Sequence, residues 1–273
     1  MNIISFGGGT NSAAMIIGMY QAGIPIDLIT FADTGAEQPH TYNFNVDFGK
    51  WLKSKGLPEI TTVYCCTKDG KRLTLEDECL KSHTLPSIAY GFKKCSLKHK
   101  IGPQEKYCNN YKPCKDVWKN GGKVNKFIGY DAGESRRVEH AVPIDAVDTK
   151  YQKHYPLYDW GWTREKCKEI IIGEGLNAPG KSSCFFCPSM KKKEIQELWE
   201  SNSNLFERAI ELENNAKDTL VNIKGLGRNW SWSDYQKAYF ITKEAKSNQF
   251  VFGGFEESTG GCICGAPCGC YDG

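Results

Sequence analysis

The sequence predicts an α/β protein, built on a twisted parallel sheet with helices on both faces. Short apolar runs rich in β-branched residues alternate with segments whose apolar residues recur at helical spacing. Strands and helices that alternate along a chain form parallel sheets with right-handed crossovers. The predicted strands cover residues 2–6, 26–32, 60–65 and 126–130, and a clear helix covers 42–55.

The first predicted strand runs into a glycine turn and then directly into a helix. Gly7, Gly8 and Gly9 lack a Cβ, so successive backbone N–H groups can point into one concavity. The helix adds its free N–H groups and the positive end of its dipole, and Asn11 or Ser12 is placed to cap it. The turn can therefore hold a phosphate, although three glycines alone fit an empty tight turn equally well.

A ligand of an open α/β sheet binds beyond the carboxyl ends of the strands, where the strand order reverses. Asp33 directly follows the second predicted strand, just as the glycine turn follows the first. Both features therefore face one edge of the sheet and can contact the same ligand. The alternative for Asp33 is a cap in a strand-to-helix loop.

The composition limits the class of protein. The chain has 273 residues, 40% of them hydrophobic, which is enough for a large core. Its formal net charge of +3 neither requires nor excludes a nucleic-acid partner. No apolar run approaches the length of a membrane span and no charged-then-apolar leader opens the chain. We expect a cytoplasmic protein without a membrane partner.

Thirteen cysteines are many for the cytoplasm, where structural disulfides are rare. Cys184 and Cys187 form a Cys-x-x-Cys pair, which can reach one metal ion but supplies only half of a tetrahedral site. Buried free thiols are the alternative. Four further thiols stand in the glycine-rich tail, at Cys262, Cys264, Cys268 and Cys270.

Five segments, taken in order, carry a family resemblance over residues 2–190. They are SFGGGTNS at 5–12, FADTG at 31–35, KCSLKHKIGP at 94–103, GYDAGESRR at 129–137, and PLYDW at 156–160 followed by SCFFCP at 183–188. Together they resemble the PP-loop ATP pyrophosphatase superfamily and, within it, the phosphoadenosine phosphosulfate (PAPS) reductase-like family. The resemblance implies the adenine nucleotide alpha hydrolase-like form of the α/β fold.

The resemblance also implies an adenine nucleotide, either ATP or a sulfonucleotide, with Mg²⁺ as a cofactor. Such enzymes split ATP between its α and β phosphates to adenylate or thiolate a substrate, which would make a nucleic acid or a sulfur carrier protein a partner. The alternative is a sulfonucleotide reductase whose tail cysteine attacks the sulfate sulfur. A third alternative is a nucleotide-binding module without turnover, because Thr10 and Asn11 replace the usual Lys and Asp of the loop.

The resemblance assigns roles to individual positions. The implied catalytic residues are Arg137, Glu134 and Cys268. The implied nucleotide contacts are Ser5, Gly7, Gly8, Gly9, Thr10, Asn11, Ser12, Asp33, Gly129, Ser135, Arg136 and Lys98. The expected ligands of zinc or an iron–sulfur cluster are Cys184, Cys187, Cys95, Cys264, Cys268 and Cys270, although Ser96 stands where cluster-containing relatives have a second cysteine. The cation that the loop lacks would come from Lys98, Lys100, Arg136 or Arg137.

We expect two parts in the chain. Residues 1–188 form the PP-loop nucleotide-binding domain, with an irregular insertion that is rich in cysteine and lysine and contains short helices at about 64–126. Residues 189–273 form a helical extension with a cysteine-rich tail. Helical patterns cover 191–199 and 205–216 in that extension.

Overall fold

A computed structural model describes the backbone of residues 1–251 and the side chains of residues 1–242. Met1–Trp232 forms one compact unit, and a second unit begins at Ser233. The expected domain boundary after Pro188 falls inside the first unit, and a division there stays a prediction. The tail cysteines Cys264, Cys268 and Cys270 lie outside the described residues. No helix in the described part is long and apolar enough to span a membrane.

A five-stranded parallel sheet forms the centre of the first unit. Its strands are β1 (Asn2–Phe6), β2 (Leu28–Ala32), β3 (Ile60–Val63), β4 (Val124–Ile128) and β5 (Tyr151–His154). They lie in the order β3-β2-β1-β4-β5, and every neighbouring pair is parallel. Strand β1 is central, with Ser5 opposite Thr30 of β2 and Ile128 of β4.

Helices account for most of the remaining described chain. They are α1 (Thr10–Gln21), α2 (Pro39–Ser54), α3 (Leu75–Ser82), α4 (Lys94–Ser96), α5 (Gly102–Asn110), α6 (Lys112–Lys119), α7 (Ser135–Ala146), α8 (Pro156–Asp159), α9 (Arg164–Gly173), α10 (Lys192–Ser201), α11 (Ser203–Ala216) and α12 (Trp232–Val251). A π-helical turn at Leu97–Ile101 joins α4 to α5. Helices α10 and α11 confirm the two helical patterns read after Pro188.

Helices cover both faces of the sheet, as the sequence predicts. Ile4 and Ile29 belong to a buried cluster with apolar residues of α1, α2 and α9. Their neighbours Ile3 and Leu28 instead join Cys108 of α5 and Cys114 of α6. Successive residues of a strand point to opposite faces, so the two clusters lie on opposite sides of the sheet. The α/β fold class is therefore confirmed.

Two strands differ from the prediction, and the insertion agrees with it. The fourth strand lies two residues earlier than predicted, and β5 was not predicted because its sequence, YQKH, is polar and shows no apolar alternation. The segment at 64–126 contains short helices, as expected, namely α3 to α6 and the π-helical turn. Its first helix, α3, begins at a true cap, where the Thr74 side chain accepts a hydrogen bond from the Asp77 N–H at 3.0 Å.

Candidate functional site at the carboxyl edge of the sheet

The carboxyl ends of β1, β2 and β4 meet where the strand order reverses. The chain leaves β1 into Gly7, β2 into Asp33 and β4 into Gly129. Gly129 packs directly on the start of α1. A Cβ added to Gly129 would lie only 3.0 Å from the backbone nitrogen of Ser12. Open α/β sheets bind ligands at such a switch point. The structure thus brings the predicted glycine turn, Asp33 and Gly129 to one edge.

The glycine loop, residues 7–9, leaves the start of α1 uncapped. Gly9 is the N-cap residue and no side chain caps the helix, so the expected cap by Asn11 or Ser12 is wrong. The Ser12 hydroxyl instead accepts a hydrogen bond from the Gly7 N–H at 3.1 Å and donates one to the Gly9 carbonyl at 3.2 Å. The first backbone N–H groups of an uncapped helix are a site for an anion.

Two residues of α2 that pack on the loop, Thr41 and Asn45, carry side-chain oxygens without partners among the described residues. A Cβ on Gly8, whose φ is +70°, would lie 2.8 Å from Thr41 Cγ2 and 3.2 Å from Asn45 Oδ1. The oxygens Thr41 Oγ1 and Asn45 Oδ1 are buried and have no hydrogen-bond partner among the described residues. A buried unsatisfied polar atom costs about 1–3 kcal/mol, so its presence needs an explanation such as a ligand.

A segment that precedes the cysteine pair crosses the glycine loop, and we call residues 179–183 the strap. Thr10 Oγ1 donates a hydrogen bond to the Pro179 carbonyl at 3.2 Å. Ser182 Oγ lies 2.6 Å from the position of a Cβ on Gly9. The next residue after the strap is Cys184, whose sulfur lies 3.4 Å from Thr34 Oγ1. The glycine loop and the cysteine pair are therefore adjacent.

Asp33 is nearly buried and already occupied by protein groups. Its Oδ1 accepts hydrogen bonds from the Gly35 N–H at 2.7 Å and the Tyr42 hydroxyl at 2.8 Å, and Arg72 contacts its Oδ2 at 2.6 Å. Burial and the Asp33 carboxylate together raise the pKa of Tyr42. The structure thus gives Asp33 a bracing role in its loop, and its contact with a nucleotide stays a prediction.

The arginines after β4 differ in their surroundings. Arg137 forms an ion pair with Glu134, and its guanidinium lies 4.1 Å from the centre of the Tyr130 ring. Burial alone would lower the pKa of Arg137, but Glu134 and Tyr130 outweigh it and raise the pKa. Arg136 is exposed, and neither it nor Ser135 has a side-chain partner among the described residues. The charge of Arg137 is thus already balanced.

The two lysines expected near the loop are also paired with carboxylates. Lys98 binds Glu78 at 2.7 Å, and Lys100 binds the buried Glu37 at 2.7 Å. Burial would lower the pKa of Lys100, but the Glu37 carboxylate and the neighbouring thiols raise it instead. Neither lysine is shown to contact the glycine loop. Their role as the missing cation stays a prediction.

Asn11 connects the loop to Glu134, an expected catalytic residue, and to two charged residues that were not predicted from the sequence, Asp131 and Arg164. Its amide nitrogen donates hydrogen bonds to Asp131 Oδ2 at 2.8 Å and Glu134 Oε2 at 3.4 Å. Its amide oxygen lies 3.5 Å from Arg164 Nη1. Asp131 lies inside the GYDAGESRR segment at 129–137, so the sequence alone could have identified it as a candidate site residue. Arg164 lies outside every recognised segment, so only the fold reveals it.

The cysteine pair does not complete a metal site within the described residues. Burial raises the pKa of the Cys184 and Cys187 thiols, and the nearby Cys95 thiol adds to the rise at Cys187. No group of three or more His, Cys, Asp or Glu side chains in the described part could hold a metal ion. Two thiolates leave a tetrahedral site half open. A metal or cluster here would need ligands from the undescribed tail.

Comparison with known proteins gives little further guidance. No family model matches the sequence, and no curated protein matches it. A solved structure to which the chain is similar is U34-tRNA thiolase NcsA from Methanococcus maripaludis with its [4Fe-4S] cluster. The identity is 14%, over 80% of this chain and 71% of that chain, with a TM-score of 0.41. A likeness at this level assigns no function to the chain.

Proposed function

We propose that the glycine loop binds the phosphates of an adenine nucleotide and that the protein cleaves ATP between the α and β phosphates. The cleavage would transfer AMP to an oxygen of an acceptor substrate and release pyrophosphate, and the adenylated acceptor could then exchange its AMP for a sulfur group in a thiolation. The observation that carries the proposal is the uncapped start of α1 at the switch point of the sheet.

Three features support the proposal. Thr41 and Asn45 pack on Gly8, and each carries a buried side-chain oxygen without a partner among the described residues. Carboxylates, the groups that Mg²⁺ prefers, stand beside it at Asp131 and Glu134. The strap connects the loop to Cys184, so a sulfur group would lie close to the activated acceptor.

A zinc ion or iron–sulfur cluster at the cysteine pair plays no part in the proposed cleavage of ATP. Cys184 and Cys187 would be two of its ligands, and a bound zinc or iron–sulfur group would supply soft-metal coordination of sulfur. The other ligands would come from Cys95 and from the tail. This set stays a prediction because the described residues do not complete it.

Analysis of the products tests the proposal. Purified protein with ATP, Mg²⁺ and a cell extract as the source of acceptor should release pyrophosphate, and mass spectrometry should find AMP free or attached to the acceptor. In a parallel reaction with PAPS or its dephosphorylated form and a dithiol as the two-electron reductant, release of sulfite would instead support a reductase that uses Cys268. Release of neither product, together with measurable ATP binding, would leave a binding module without turnover.

A further inference from the structure

Helices α1 and α9 begin at the same edge of the sheet. Arg164, the first residue of α9, lies 3.5 Å from Asn11 at the start of α1. At the other end, Glu174 accepts a hydrogen bond from Gln21, the last residue of α1, at 2.9 Å. The two helices therefore run parallel, and the positive ends of both dipoles meet beside the glycine loop.

Arg164 occupies a position that is electrostatically unfavourable for a cation. In the first turn of a helix a positive charge is less favourable than a negative one by about 0.3–1 kcal/mol of folding free energy, because the negative charge complements the dipole. Arg164 is half-buried and forms no ion pair within the described residues. Its long hydrogen bond to the neutral Asn11 side chain does not balance its charge. An anion bound at the loop would balance it.

Three of the four cations expected from the sequence lack this freedom, and the fourth, Arg136, is exposed to solvent. Arg137, Lys98 and Lys100 are each paired with a carboxylate, which a phosphate would have to displace. Arg164 has no such competitor among the described side chains, and a guanidinium carries five N–H donors in a planar fork that suits phosphate. One contact to Asn11 leaves most of those donors available.

We infer that Arg164 binds the phosphates of the nucleotide at the glycine loop and supplies the positive charge that the loop itself lacks. This inference rests on the proposed function, and it adds a residue that no recognised segment contains. Arg164 is a phosphate-binding residue in this account, and Asn11 orients it through the contact between their side chains.

The test measures binding by calorimetry with ATP, pyrophosphate and adenosine as separate probes. Arg164→Gln keeps an amide that can contact Asn11 and removes the charge, whereas Arg164→Lys keeps the charge without the fork. The matched control is Lys168→Gln, which removes an exposed charge from the same helix. Circular dichroism checks that each variant is folded.

We expect Arg164→Gln to weaken binding of ATP and pyrophosphate about tenfold or more, the loss typical of a charged hydrogen bond. Adenosine binding and the control should be unchanged, and Arg164→Lys should fall between Arg164→Gln and wild type. The difference in affinity between wild type and Arg164→Gln should shrink as salt rises.

Two results would overturn the inference. One is that Arg164→Gln binds ATP and pyrophosphate as tightly as wild type does. The other is that Arg164→Gln loses as much affinity for adenosine as for the phosphate probes. Wild type that binds neither phosphate probe would remove the proposed function and this inference together.

Discussion

Ser182 Oγ lies 2.6 Å from the position that a Cβ on Gly9 would take, so the strap rests directly on the N-cap residue of α1. Ser182 Cβ is 3.2 Å from the same position. The backbone of Gly9 itself has a φ of −126°, which any residue adopts. Glycine is therefore required here by the close approach of the strap and not by backbone conformation.

Gly9→Ala should therefore destabilise the protein, and Gly9→Ala with Ser182→Gly should recover most of the loss. An added methyl group in a tight contact costs on the order of 1 kcal/mol, and removal of the opposing side chain relieves it. Urea unfolding of the single and double variants measures the coupling between the two positions. Additive effects would mean that the strap does not rest on the loop in solution.

Gly7→Ala should weaken ATP binding several-fold and leave the fold intact. A Cβ on Gly7 would meet only Ser12 Oγ, at 3.8 Å, so the folded protein tolerates it, but the methyl group would stand in the exposed mouth of the anion site. The matched control is Gly173→Ala, where a Cβ meets no atom within 4 Å. Titration calorimetry gives the affinities. Unchanged ATP affinity in Gly7→Ala would count against the loop as the phosphate site.

Gly8 is unsuitable for the same test because its substitution confounds binding with stability. Its φ is +70°, and a Cβ would approach Thr41 and Phe31 within 3.0 Å or less. Gly8→Val should lower the free energy of unfolding by more than Gly7→Ala does. Equal midpoints of urea unfolding for the two variants would contradict this.

The local parts of the site could be predicted from the sequence. The apolar run of β1 and the three glycines define the loop without reference to any distant residue. Contacts between distant parts of the chain could not be predicted, because no local pattern encodes them. Ser182 meets Gly9, and Arg164 meets Asn11, only once the sheet and α9 are assembled. Strand β5 was missed because a polar edge strand lacks the alternation that marks a buried one.

Glu174 should make stability depend on pH. Its carboxylate accepts hydrogen bonds from Gln21 and Trp51 and pairs with Lys55 at 3.0 Å, which joins α1, α2 and α9. Burial would raise the pKa of Glu174, but these partners outweigh burial and lower it. A lowered carboxyl pKa stabilises the fold above the unfolded value of about 4.3, and this gain is lost as the pH falls through the folded pKa.

Glu174→Gln should therefore lower the free energy of unfolding by on the order of 1 kcal/mol at neutral pH, and by less below about pH 4. Urea unfolding of wild type and variant measures the difference in the free energy of unfolding. The pH should run from about 3 to about 7, which spans the titration of a carboxyl group. A difference that is constant over this range would show that the carboxylate charge contributes nothing. Glu169→Gln on the same helix is the matched control, because Glu169 is exposed and bonds only to Lys166.

Metal content tests the predicted ligand set. Protein purified without oxygen should contain zinc or iron, and Cys187→Ser should lose the metal because it removes a ligand. A chain that ends at residue 257 should lose the metal as well, because two thiols on one turn cannot close a site alone. Cys167→Ser is the control, since Cys167 is buried between α9 and the core and lies outside the predicted set. Full metal retained by the shortened chain would exclude the tail as a source of ligands.

The most direct test of the central claim is a crystal structure of the protein with Mg²⁺ and an ATP analogue that carries a methylene group between its α and β phosphates. The account predicts phosphate oxygens within hydrogen-bond distance of the backbone N–H groups at the start of α1, with the Arg164 guanidinium turned toward them. A nucleotide whose phosphates lie away from the start of α1 would contradict the account.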